Sequence, residues 1–247
     1  MKYYATILLT CLALTTTTWA IDFNNSELVD ETGNLRGTDA SRMRRLWQQG
    51  RGMRGWRRGG GMTGTASNGS SNSVPSVTTS TALSANERQE ILFMREEEKL
   101  ARDVYLTLFQ KWGVRVFSNI ADSEQNHMDS MLALINQFDL DDPVKDNSIG
   151  VFTDPSLQQT YTTLVTEGLI SEDSGLMIGA YIEELDIRDL RQAMAETDQS
   201  TLDSTYERLL TASYNHLRAF VRNIENRSGK TYQAQLLTQE EVDAIVG

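Results

Sequence analysis

Residues 84–113 read SANERQEILFMREEEKLARDVYLTLFQKWG. Ser84 followed three residues later by Glu87 has the form of a capping box, and Gly113 has the form of a helix stop, so a helix is expected from here to about Trp112. Within it Ile91, Met94, Glu98, Ala101, Tyr105, Leu108 and Trp112 recur at steps of three and four, the spacing of a core-facing stripe. One member of that stripe, Glu98, is a carboxylate near its middle.

The same spacing predicts long helices over 117–137, 173–196 and 201–226, a short one over 157–167 ended by Gly168, and a last piece over 239–246. About four residues separate the first and second long helices, and about four the third and fourth, so each pair should fold as an antiparallel hairpin. Between the pairs lie about 35 residues with Pro143, Gly150 and Pro155. A helix of 20–25 residues is roughly 30–38 Å long, and a connection of that size can travel its length. The expectation is an all-α fold: a ferritin-like four-helix bundle of two antiparallel hairpins with a long crossover between helices two and three.

The other three stripes repeat the pattern of the first. Ile120, Glu124, His127, Met131, Leu134 and Phe138 form the second; Leu176, Ala180, Glu183, Ile187, Leu190 and Met194 the third; Leu202, Tyr206, Leu209, Ser213, His216, Phe220 and Ile224 the fourth. Each is apolar except near its middle. Burying an ionised carboxylate costs several kcal/mol, and three in one layer repel one another, so a compensating charge is required. Divalent cations supply it, and glutamates from facing helices with a Glu-x-x-His pair form the ligand set of dimetal carboxylate bundles. Glu124 and His127 share a helical face, and both histidines of the chain fall in this layer. The competing explanation is a buried polar network of protonated acids and arginines such as Arg95, Arg102 or Arg218.

The rest of the chain narrows the setting. Across 247 residues the formal charge is -11, with three prolines and 8% aromatics, which suits helices over a strand-rich sandwich and argues against a surface built to grip nucleic acid. Residues 1–20 read as a signal peptide: Lys2, an apolar run from Ala5 to Leu14, and Thr18-Trp19-Ala20 as the cleavage site, which implies a secreted, periplasmic or extracellular product. Cys11, the one cysteine, lies inside that segment, so cleavage removes thiol chemistry. No later stretch has the roughly 20 apolar residues a membrane helix needs. Residues 21–82 carry eight basic and five acidic side chains, with Arg42, Arg44, Arg45, Arg51, Arg54, Arg57 and Arg58 clustered and a Gly/Ser/Thr/Asn stretch behind them. This composition cannot bury a core and predicts a disordered linker, whose basic part could contact an anionic surface. Residues 83–247, with 14 basic and 29 acidic side chains, form the helical domain.

The stretches MREEEKLARDVY (94–105), SEQNHM (123–128), GAYIEELDIRDL (179–190) and SYNHLRAF (213–220) resemble the bacterial and archaeal ferritin-like family known as domain of unknown function 2202. More distantly, Glu98-x-x-Ala101-x-x-x-Tyr105 is similar to the first ligand helix of rubrerythrin-type proteins, in which the glutamate binds iron. That resemblance implies Glu98, Glu124, His127, Glu183 and His216 as metal ligands, with iron, as a di-iron or mono-iron site, the expected cofactor and manganese or zinc its substitutes. Ser213 stands where a second Glu-x-x-His would place its glutamate, so the expected fourth carboxylate is missing. Glu97, Glu184 and Asp186 are the acids near enough to replace it, and Tyr105, Tyr181, Tyr214 and Ser213 are candidate donors to the ligands. The resemblance implies an oxidoreductase of ferroxidase or peroxidase type that meets dioxygen or peroxide. Two alternatives stand beside it: a non-enzymatic envelope or stress protein with a structural polar layer, and metal storage without turnover. A dimer is compatible with either, and the sequence does not set the oligomeric state.

Overall fold

The computed structural model describes residues 82–247. The readings of a signal peptide, of Cys11 and of the basic linker therefore fall on residues 1–81, outside the described part. Among the described residues the fold is all-α, with six helices and no strand: α1 Ala85–Trp112, α2 Arg115–Gln137, α3 Pro155–Gly168, α4 Glu172–Glu196, α5 Ser200–Ser228 and α6 Gln239–Val246. None is long and apolar enough to cross a membrane.

Local chemistry sets the ends. At α1 the Ser84 hydroxyl accepts from the Glu87 amide and the Glu87 carboxylate accepts from the Ser84 amide, which satisfies two amides that the helix itself leaves unpaired. Gly113 closes the helix at φ 67°, and its N–H donates to Phe109 O. Asp154 caps α3 ahead of Pro155, Ser171 caps α4, and a second capping box, Thr238 with Glu241, opens α6. The hairpin connections are tighter than the expected four residues: residues 113–114 join α1 to α2, and 197–199 join α4 to α5. Neither Val114 nor Gln199 makes a side-chain cap, so those helix starts carry no local signature.

The two hairpins, α1 with α2 and α4 with α5, pack against each other through α1 on α4 and α2 on α5, while α3 lies against α1 and α4 and α6 against α5. Side chains at three- and four-residue steps fill the interior, among them Ile91, Val104, Leu108, Met131, Leu176, Ile187, Leu190 and Leu202. Tyr105, Phe117 and Phe220 pack as an aromatic trio with centroids 5.3–6.4 Å apart. Phe220 can sit there because residue 179 is glycine: a Cβ at that position would lie 2.3 Å from the ring.

The charged run of α1 is buried, and most of it is spent on the crossover. Arg95 donates to both carboxylate oxygens of Asp142 and to Met128 O, and Glu96 accepts from the amides of Thr153 and Asp154. Lys99, fully buried, donates to Asp103 and to Ser148 O, with Phe152 4.5 Å above its ammonium. Arg102 donates to Asp103, Gln125 and Asn147, and Asp103 accepts the Gly150 amide. Residues 142–154 are thus held to one side of α1, and Glu98 is left for the interior.

Candidate metal centre

Antiparallel pairing brings the middle of each stripe to a common depth. Glu98, Glu124, His127, Glu183 and His216 are all buried, Glu98 and Glu183 at 2% and 1% exposure. Their donor atoms form two overlapping groups, Glu98–Glu124–His127 and Glu124–Glu183–His216, within each of which the atoms lie within 4.8 Å of one another. Glu124 belongs to both. Its Oε2 lies 2.7 Å from His127 Nδ1 and its Oε1 2.9 Å from His216 Nδ1. His127 Nδ1 is also 3.2 Å from Glu98 Oε2, and His216 Nδ1 is 3.3 Å from Glu183 Oε2. The imidazole rings stack, 5.5 Å between centroids.

Whether this cluster suits a cation is tested by its unsatisfied atoms. Glu98 Oε1 is buried and makes no hydrogen bond. Buried polar atoms are ordinarily paired, and an unpaired one costs about 1–3 kcal/mol, more when charged. Ligand atoms about 2.0–2.2 Å from a shared ion stand roughly 3–4.4 Å apart, the scale of these groups. The donors are carboxylate oxygen and imidazole nitrogen, which suit iron, manganese and zinc. The residues present fit a divalent cation.

Burial and neighbouring charge pull against one another across the layer. Burial pushes the Glu98 carboxyl up to about 7 against the pull of His127, and burial likewise raises Glu183 and, strongly, Asp186. Burial also opposes ionisation of Glu124, but His127 and His216 on either side hold its carboxyl far below the usual range. Burial disfavours the protonated rings, yet Glu124 and Glu98 raise His127 well above its ordinary value, and Glu183 and Glu124 raise His216 to about 10. The acids that burial disfavours are thus the same groups that favour a proton on each neighbouring imidazole.

Neighbouring groups orient the cluster. Tyr105 O–H donates to Glu183 Oε1 at 2.6 Å. Ser123 Oγ lies 2.9 Å from His216 Nε2, so the opposite ring nitrogen, Nδ1, is the one turned to the glutamates. Ser123 was not among the residues singled out in the sequence, because its partner is 93 positions away. Asp186 and Glu97 line a narrow cavity with Glu98, Glu124 and Glu183, walled by Leu100, Ala101, Ile182 and Leu185 and wide enough for about one water-sized sphere, 10 Å³. The Ser213 hydroxyl donates to Asp186 Oδ2.

Two expectations are corrected. Glu184, a candidate substitute ligand, points away from the cluster: its carboxylate accepts from Tyr232 O–H and from the amides of Gln235, Leu236 and Leu237. Adjacent helical residues are about 100° apart around the axis, and here that step turns Glu184 to the C-terminal segment while Glu183 meets Tyr105 and His216. Tyr214 lies under Arg191, which donates to its hydroxyl, and is no donor to the cluster. The arginines that would have neutralised the layer are engaged elsewhere: Arg95 and Arg102 with the crossover, Arg218 with Ile245 O and Asn215.

With this geometry in place, comparison with known proteins adds lineage. Over 164 residues the chain is 46% identical to the uncharacterized protein MJ0754 of Methanocaldococcus jannaschii, covering 66% of this chain and 88% of that protein. The crystal structure of the hypothetical protein MJ0754 from the same archaeon superposes with a TM-score of 0.65 at 46% identity, covering 66% of this chain and 93% of the other. The family described as "Uncharacterized protein domain (DUF2202)" matches residues 87–247, which is the whole helical part from the first turn of α1 onward. The chain belongs to the DUF2202 family.

Proposed function

We propose that this protein is a ferritin-like metal-binding protein that holds iron, with manganese or zinc as substitutes, through Glu98, Glu124, His127, Glu183 and His216, and meets dioxygen or peroxide there. The observation that carries the reading is Glu124, whose two oxygens each face a different histidine where two buried groups of three donors meet. Bound iron would supply the electrons that reduce dioxygen or peroxide.

The chain's own residues do the remaining work. Glu98, Glu124 and Glu183 provide negative charge, and the two imidazoles provide neutral donors once they release their protons. Tyr105 fixes the torsion of Glu183 through its hydroxyl, and Ser123 fixes the ring of His216. Leu100, Ala101, Ile182 and Leu185 exclude bulk water from the cavity, which strengthens every charge interaction inside it. A structural polar layer is the weaker reading, since Arg95, Arg102 and Arg218 are committed elsewhere. Export after cleavage near Ala20, and contact of the basic linker with an anionic surface, complete the proposal on sequence grounds alone.

Elemental analysis of full-chain protein purified without chelator tests it. One to two Fe or Mn per chain are expected, lost in His127→Ala and Glu98→Ala. Protein that is metal-free, and whose stability does not respond to Fe(II), would overturn the reading. Metal uptake without peroxide-dependent oxidation would identify storage in place of turnover.

A further inference from the structure

We propose that Asp186, positioned by Ser213, is the fourth carboxylate of the metal centre, delivered from α4 in place of the glutamate that α5 lacks. This rests on the metal-binding reading above and names a further residue of that site. Ser213 precedes His216 by three residues, the position from which a second Glu-x-x-His would project its acid. Asp186 follows Glu183 by the same interval, so it lies on the same face of α4, one turn on. The antiparallel pairing that sets Glu183 against His216 sets Asp186 against Ser213, and the Ser213 hydroxyl donates to Asp186 Oδ2. That bond engages one carboxylate oxygen, and Asp186 lines the same narrow cavity as Glu98, Glu124 and Glu183.

Two independent features indicate that the cavity is meant for a cation. Glu98 Oε1 is buried there with no hydrogen bond, on a side chain 2% exposed. The cavity lining contains four acids besides Asp186 but neither lysine nor arginine. Glu98, Glu124 and Glu183 bring three negative charges and Asp186 a fourth, with Glu97 a fifth acid on the same lining, so the cavity carries enough negative charge for two divalent ions bound with two neutral imidazoles. Ser213 is the positioning residue, because serine on α5 leaves room for the aspartate and supplies the hydroxyl that holds it.

The test is anaerobic Fe(II) titration of chelator-stripped full-chain protein, read as ions retained per chain and their affinity. Wild type should take up two, and Asp186→Asn, which keeps shape and can still accept from Ser213, should lose one equivalent or bind it at least tenfold more weakly. Ser213→Ala should weaken the same equivalent several-fold without loss of folded helix content. Asp186→Ala/Ser213→Glu, which moves the carboxylate back to α5, should restore it. Wild type that retains no Fe(II) overturns the site itself and this residue with it. Wild type that loads while Asp186→Asn loads identically overturns the role of Asp186 alone. Should Asp186→Asn fail to fold, the same comparison between Ser213→Ala and the double variant decides, with unchanged loading in Ser213→Ala counting against the proposal.

Discussion

Single side chains here carry obligations that can be weighed separately. Gly179 admits the Phe220 ring where a methyl group would stand 2.3 Å from it, and Phe220 is itself fully buried and packed on Tyr105 and Phe117. Gly179→Ala should therefore destabilise the protein by about 1–3 kcal/mol in chemical denaturation, as overpacked cores do. Lys99 is buried against Asp103, and Lys99→Ala leaves that carboxylate with Arg102 and the Gly150 amide but without its ammonium. Loss of one partner of a buried pair costs about 3–5 kcal/mol, and the lower end is expected because Arg102 remains. At the candidate metal centre the sign of the pH dependence follows from the raised His216. In the metal-free chain this group adds stability below pH 6.5 that is lost as pH rises through about 10, since the folded form holds the proton more tightly than the unfolded one. A cation must displace that proton, so Fe(II) or Mn(II) affinity measured anaerobically should strengthen as pH rises from 6 to 8.

At the scale of elements, two irregular segments are tied down by charged side chains of the helices. The crossover rests on Glu96, Arg95, Lys99 and Asp103 of α1, and the C-terminal segment rests on Glu184 of α4. Glu184→Ala should leave the amides of Gln235, Leu236 and Leu237 without their acceptor. Limited proteolysis should then cut between residues 230 and 240 at least tenfold faster, while α1 to α5 stay protected from hydrogen exchange. These roles also mark where sequence reading stopped. Ser84 with Glu87, Gly113 and the stripe spacing made α1 legible to its last residue, and 239–246 was equally plain, because capping and periodicity are local. In the same run, MREEEKLARD, the stripe spacing picked out Met94, Glu98 and Ala101 and gave no role to Glu96, Lys99 and Asp103, because the groups that bury them lie 47–58 residues away on a connection without periodicity. Glu184 was misread for the same reason: its acceptor role depends on partners 48–53 residues downstream. The burial and convergence of Glu98, Glu124, His127, Glu183 and His216 were legible because each interrupts an apolar stripe, a local contradiction that burial makes expensive.

For the whole molecule, ligand linkage converts the site into a measurable stability. A cation that binds only the folded chain, at one hundred times its dissociation constant, adds about 2.7 kcal/mol. For a helical part of this size that is roughly a 5–10 °C rise in Tm, removed by chelator and absent in His127→Ala. Calorimetry of the full chain with and without Mn(II) measures it, and an unshifted transition would count against the metal centre. The clearest global consequence lies in α4. Glu183 faces inward to Tyr105 and His216, and its immediate neighbour Glu184 is tethered outward to the C-terminal segment. A rod gripped from two sides so close together cannot roll about its axis. The chamber beside it therefore has walls of fixed spacing, and any change in its bore must come from torsions of the carboxylate arms alone.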